Sequence, residues 1–153
     1  MAHRDIKPAN IFVDTNKYKL GDFGSACRVE ANGMFGGDGT RQYLSPEMRR
    51  LMLGEKVEVD YFQSDIYSLG VTILHLGKLV LPSAIPQAYK DAHLLEQAVE
   101  TETSKLPYSS AFMCLLRRML EMNPAKRPII EEVLLLTSFS LEERNDDTVT
   151  IIL

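Results

Sequence analysis

Two acids within the first 24 residues constrain this chain more than anything else in it. The stretch His3-Arg4-Asp5-Ile6-Lys7-Pro8-Ala9-Asn10 sets a lysine two positions after an acid and an asparagine three positions beyond that. Ile11-Phe12-Val13 and Tyr18-Lys19-Leu20 follow, two short runs rich in β-formers around the turn composition Asp14-Thr15-Asn16-Lys17. That pattern predicts a hairpin. Asp22-Phe23-Gly24 comes next, an acid on a turn beside glycine. A hairpin holds the loop before it and the turn after it at the same end, so Asp5 and Asp22 are expected close in space. Any one of these residues would fit a polar loop capping a hairpin; the set together points to chemistry.

Phosphoryl transfer requires a carboxylate to orient and receive a hydroxyl proton, a cation for the moving phosphoryl group, and oxygen ligands for magnesium. A catalytic loop, a hairpin and a metal-holding turn can supply all three within roughly 20 residues. At these residues the chain resembles the eukaryotic protein kinases. His3 to Asn10 matches their catalytic loop, Asp22-Phe23-Gly24 their magnesium-binding turn, and Ser45-Pro46-Glu47 the Ala-Pro-Glu that closes the activation segment. Asn123-Pro124-Ala125-Lys126-Arg127-Pro128 matches the late Asn-Pro-x-x-Arg-Pro loop of the same family. Lys7 is the residue that the family uses in Ser/Thr kinases, and Thr40 resembles the threonine that bonds the catalytic acid and lysine.

The resemblance runs from His3 to about Leu136 and covers the lower part of a kinase. It implies a mainly α fold with a small β-hairpin, a protein-kinase-like C-terminal lobe (α+β overall) with the N-terminal lobe missing. No glycine loop and no Val-Ala-x-Lys strand precede the catalytic motif in this sequence. Residues 1–137 are read as a partial kinase domain and 138–153 as a polar C-terminal tail. The resemblance also implies roles. Asp5 is the base or hydroxyl-orienting group, Lys7 stabilises charge on the transferred phosphoryl, and Thr40 supports both. Asn10 and Asp22 hold Mg2+, and Phe12 lies beneath the adenine of ATP. His3, Arg4, Phe23, Gly24, Glu47, Asp65 and Arg127 are structural supports. Among them, Asp65 reaches the backbone of the His3-Arg4 turn, and Arg127 pairs with Glu47. The expected partner is a protein substrate bearing Ser or Thr.

The resemblance makes Arg4 a receiver for activation-loop phosphate; between Ala26 and Gly39 there is no Ser, Thr or Tyr, so that position is read as vacant. Asp38 or Glu30 is expected to give Arg4 a weaker fixed negative charge, one with fewer acceptor oxygens than a phosphate. The competing reading makes both acids solvated loop residues. Gly33, Gly36, Gly37 and Gly39 raise the entropy lost when this segment orders.

The rest of the chain reads as helices. Pro46 to Leu53 starts with proline in its first turn, and Gly54 to Asp60 is read as an exposed, insertion-like loop. Asp65 opens a helix to about Leu79, whose Ile66, Leu69, Val71, Ile73, Leu74 and Leu76 surround it as in a buried central helix. His75 on this helix is read as a core or boundary residue. Pro82 and Pro86 mark a loop, Ala88 to Val99 a moderately amphipathic helix, and Ser109 or Ser110 caps the next. Ile129 to Leu136 makes the last helix, with Glu131 and Glu132 in its first turn. The tail ends Ile151-Ile152-Leu153, a hydrophobic terminus able to add a strand to a peptide-binding sheet edge.

Composition narrows the alternatives. With 153 residues, 45% hydrophobic and 25% charged, the chain can bury a real core. Seventeen basic against 21 acidic residues give a net charge of −4, which offers no electrostatic case for nucleic acid or an anionic membrane. Cys27 and Cys114 carry no metal spacing and fit reduced thiols in a cytoplasmic or nuclear protein. The start has no apolar h-region, so no secretory signal is expected. Three functional classes follow: a Ser/Thr protein kinase present as a lobe inactive by itself, a non-catalytic kinase-derived interaction module, and a small-molecule phosphotransferase. Ser45 to Glu47 and Asn123 to Pro128 build a protein-substrate platform and argue against the third. Oligomeric state has no signal in the sequence.

Overall fold

A short hairpin carries one end of the structure and a long central helix carries the rest. The computed structural model describes residues 1–15, 17–28, 38–104, 106–142 and 150–151. Strands β1 (Ile11–Asp14) and β2 (Lys17–Leu20) pair antiparallel, with Ile11 opposite Leu20 and Asp14 opposite Lys17. This is the hairpin that the β-forming runs predict. Among the described residues six α-helices follow: α1 (Pro46–Met52), α2 (Tyr61–Lys78), α3 (Ala84–Gln87), α4 (Ala92–Thr103), α5 (Ser110–Met119) and α6 (Ile130–Glu142). Strand β3 (Thr150–Ile151) lies parallel to β2 and adds a third strand to the chain's own sheet.

Helix α2 is the hub because its apolar residues point several ways. Tyr67, Val71 and Leu74 pack with Ile85 of α3, Leu95 and Val99 of α4, and Leu116 of α5. Ile66 faces a second cluster with Leu115, Met119 and Val133. A third cluster joins Ala2, Cys27, Leu44, Met48 and Tyr61, tying the chain's start to α1, to the segment before it and to α2. At Gly70 a Cβ would come within 3.1 Å of the Leu120 side chain, so the missing side chain lets α2 and α5 approach closely. Leu76 departs from the expected all-round burial and is 49% exposed.

Caps set several boundaries away from the expected ones. Helix α2 begins at Tyr61, not Asp65, because the Asp60 carboxylate accepts the N–H groups of Phe62 and Gln63 at 3.0 and 3.1 Å. Asp91 caps α4 in the same way, so the helix expected over Ala88 to Val99 starts at Ala92 and runs to Thr103. Pro86 lies inside the short α3 instead of a loop. Ser109 caps α5 as expected, accepting from Phe112 N. The last helix extends past Leu136 to Glu142. Among the described residues no helix is long and apolar enough to cross a membrane, and Cys27 and Cys114 are free thiols.

Candidate active site

The hairpin ladder brings the two acidic segments to one end. Beyond the Ile11–Leu20 pair, Gly21 N–H donates to Asn10 O at 2.9 Å, which places Asp22 beside the end of the Asp5 loop. Ala2 and Cys27 exchange both backbone bonds, at 2.9 and 3.0 Å, closing the same end from outside. His3 adds a side-chain tie. Its Nδ1 accepts the Asp5 N–H at 3.3 Å, so the ring proton sits on Nε2, which donates to Gly21 O at 3.0 Å. The same ring packs against Phe23, centroids 5.0 Å apart.

Asp5 stands at the centre of a closed set of bonds. Lys7 Nζ donates to Asp5 Oδ2 and to Thr40 Oγ1, each at 2.7 Å. Thr40 N–H donates to Asp5 Oδ1 at 2.8 Å. Asn10 Nδ2 donates to Asp5 O at 2.8 Å and to Oδ2 at 3.2 Å. Burial pushes the Asp5 carboxyl pKa up, but the bonds from Lys7 and Thr40 and the Lys7 charge together pull it further down. The net result is a carboxylate held below its ordinary value. Residues 35 positions apart in sequence thus meet on one carboxylate.

Backbone strain accompanies this geometry, and at Arg4 it is held by one acid. Arg4 and Asp22 both adopt left-handed conformations, with φ of 68° and 60°, which cost a non-glycine residue of order 1–3 kcal/mol. The Asp65 carboxylate accepts His3 N–H at 2.6 Å and Arg4 N–H at 2.8 Å, pinning the turn from α2. Burial drives the Asp65 pKa up, and the two backbone bonds only partly offset it. Gly39 fits beneath Arg4 because it has no side chain: with φ of 113°, an added Cβ would lie 2.5 Å from Arg4 O. The Asp22 Oδ1 accepts Gly24 N–H at 3.3 Å.

Two further ties secure the activation segment. Arg4 Nη2 donates to Asp38 Oδ2 at 3.2 Å, with Arg4 buried and Asp38 exposed. Glu30, Gly33, Gly36 and Gly37 lie outside the described residues. Arg127 meets Glu47 at 2.6 and 2.9 Å in a bidentate pair.

Comparison with known proteins identifies the family. The family described as protein kinase domain matches residues 1–137. The chain belongs to the protein kinase family. It is 36% identical over 138 residues to serine/threonine-protein kinase Nek2 of Homo sapiens, covering 86% of this chain and 29% of that protein. To a Wee1-like protein kinase of Oryza sativa subsp. japonica it is 35% identical over 136 residues, covering 88% of this chain and 24% of that protein. To the probable serine/threonine-protein kinase nek2 of Dictyostelium discoideum it is 33% identical over 150 residues, 93% of this chain and 33% of that protein. The chain spans a third or less of the length of these kinases.

The donors present at this kinase site fit a magnesium ion bound together with nucleotide phosphates. Asn10 commits its amide nitrogen to Asp5, which leaves Oδ1 as its donor to a cation. Asp22 keeps one carboxylate oxygen beyond the bond to Gly24. Two protein oxygens suit Mg2+, which keeps waters and takes the remainder of its shell from phosphates. Among the described residues no group of three or more His, Cys, Asp or Glu is placed to hold a metal without such help.

Phe12, on β1, takes no part in the bonds around Asp5. It is 54% exposed, and its ring covers Gly21, where a Cβ would come within 2.6 Å of Cε2. Sequence reasoning missed one contact near the site. Tyr43 OH and His75 Nδ1 lie 2.7 Å apart with their rings stacked, so His75 ties the turn after Thr40 to α2. Nothing local in either segment signals a partner 32 positions away.

Proposed function

We propose that this chain is the C-terminal lobe of an ATP-dependent protein serine/threonine kinase, and that it carries the lower half of the active site. The observation that carries the reading is the closed set of bonds joining Asp5, Lys7 and Thr40. A carboxylate that is ionised at neutral pH and fixed on both oxygens can orient a substrate hydroxyl and accept its proton. The cationic Lys7, bonded to the same carboxylate, lies where negative charge on a transferring phosphoryl group needs a counter-charge. Asn10 and Asp22 would hold magnesium, and Phe12 offers an apolar face to a base. Bound Mg-ATP would supply the phosphoryl group.

Exposed apolar side chains around the hairpin favour the single-lobe reading. Phe12, Val13 and Phe23 are each more than half exposed, next to polar groups whose chemistry depends on excluding water. A second lobe closing over this end would cover them and position the nucleotide. The lobe alone therefore binds Mg-ATP weakly and transfers phosphate very slowly or not at all. The same exposed residues also suit the alternative, a kinase-derived module that binds another protein and transfers nothing. Coding sequence continuing in frame upstream of Met1 into a glycine loop and a strand lysine would support the first reading. A message that starts at Met1, with a protein that binds a partner and shows no transfer, would support the second.

A further inference from the structure

Charge beside Thr40 bears on which substrates this site would take. The chain is acidic overall, yet Arg49 and Lys90 share one aromatic ring, and Arg49 is bonded to the backbone of a third cation, Arg41. Arg41 is exposed and directly follows Thr40, so its Cα lies about 4 Å along the chain from the residue that bonds Asp5 and Lys7. Arg49 of α1 lies across the same turn, donating Nε to Leu44 O at 3.1 Å and Nη2 to Arg41 O. Its guanidinium carbon is 5.9 Å from the centroid of the Tyr89 ring, and Lys90 Nζ is 5.4 Å from it. Burial lowers the Arg49 pKa, Tyr67 and Tyr89 offset part of that, and the charge of Arg41 adds to the lowering.

All the neighbouring acids but the exposed Glu58 have partners of their own. Asp5 holds Lys7, Asp38 holds Arg4, and Glu47 holds Arg127. Asp91, next to Lys90, accepts the N–H groups that start α4. Beyond Tyr89, in a cavity of about 770 Å³ that Lys90 also lines, Glu55 pairs with Arg50, and Glu58 is exposed. Among the described residues, Arg41, Arg49 and Lys90 have no carboxylate partner. Like charges held together without an anion repel one another, and an anionic ligand relieves that repulsion.

We propose that Arg41 and Lys90, with Arg49 fixing the turn between them, bind an anionic residue of the substrate roughly one to three positions from the acceptor Ser or Thr. The anion is a carboxylate or a phosphate on the same peptide. The inference rests on the kinase reading above and names the substrate class that this site selects.

The test is peptide binding to the full-length protein carrying this chain, read by fluorescence anisotropy without ATP so that turnover is not needed. Peptides share one Ser-centred core and differ only in Asp, phosphoserine, Gln or Lys at a flanking position. The Asp and phosphoserine peptides are expected to bind about three- to tenfold tighter than the Gln peptide, with the gap closing as salt is raised. Arg41→Ala and Lys90→Ala each narrow the gap, and the Arg41→Glu/Lys90→Glu double variant inverts it in favour of the Lys peptide. A phosphoserine peptide that outbinds the Asp peptide assigns phosphate as the natural anion; equal binding assigns carboxylate. Equal affinity for Asp and Gln peptides, or a gap unmoved by charge reversal, overturns the proposal. Asp5→Asn keeps the gap while removing transfer, so a wild-type protein that shows the gap without transfer contradicts the kinase reading alone.

Discussion

Arg127 sets both terminal nitrogens on the two carboxylate oxygens of Glu47, at 2.6 and 2.9 Å, across 80 positions of sequence. Both side chains are buried, at 0% and 8% exposure. Every N–H of the guanidinium has an acceptor: Nε meets Glu121 O, Nη1 also meets Gln63 O, and Nη2 also meets Met122 O. The Tyr67 ring lies beneath it, 5.0 Å away. One side chain thus ties the end of the activation segment, the start of α2 and the loop after α5.

Removing either member leaves a buried charge without its partner. Glu47→Ala and Arg127→Ala are each expected to cost about 3–5 kcal/mol in urea unfolding. Arg127→Lys recovers little, because an ammonium cannot reach the same acceptors bidentately. A double-mutant cycle should show a coupling of about 1.5 kcal/mol or more between the two.

Asp65 should govern the shape of the catalytic turn more than its chemistry. Asp65→Asn keeps one acceptor oxygen and replaces the other with a donor facing a backbone N–H. The expected loss is about 2–3 kcal/mol of stability, with a fall in transfer rate. The pH response has a definite sign. A raised folded pKa means that the folded state binds more protons than the unfolded one between 3.8 and the raised value. This contribution is therefore fully present below 3.8 and is lost as pH rises through the raised value. Asp65→Asn should flatten that slope in melts taken across the acidic range.

Asp5 should respond with the opposite sign. Its folded pKa lies below 3.8, so its contribution is present above 3.8 and is lost as pH falls through the lower folded value. In an active form of the protein, the acid limb of kcat/KM above pH 4 should then have no break belonging to Asp5. A break near pH 6 that disappears in Asp5→Asn would contradict the geometry.

Gly39 tests the fit of the activation segment under the catalytic loop. Alanine there would place Cβ 2.5 Å from Arg4 O and 2.9 Å from Leu44 Cδ2, in a left-handed conformation. Gly39→Ala should destabilise by more than about 1 kcal/mol. Gly54→Ala is the control for strain alone, since φ is 83° there with open space around the added carbon. The difference between the two variants in thermal melts reads the clash.

What the sequence made legible was local. The hairpin followed from β-forming runs around a turn, and the cap at Ser109 from its own residue type. Glu47 and Arg127 were expected to pair only through the resemblance to kinases. The misplaced starts of α2 and α4 share one cause. Asp60 and Asp91 cap helices whose first turns, Tyr61-Phe62-Gln63 and Ala92-His93-Leu94, lack a clear apolar period. Pro86 looked like a loop marker, although proline is tolerated in the first turn of a helix. The Tyr43–His75 contact was invisible for a different reason. It depends on where α2 passes beneath the activation segment, and tertiary packing alone decides that.

The most direct measurement is phosphoryl transfer from Mg-ATP to Ser- and Thr-containing peptides by the full-length protein that carries this chain, compared with its Asp5→Asn variant. The account predicts measurable transfer by the wild type to Ser or Thr, and loss of at least about 10²-fold in the variant. The variant should keep a cooperative thermal transition. Transfer that survives Asp5→Asn unchanged, or a folded wild type that transfers nothing to any such peptide, would contradict it.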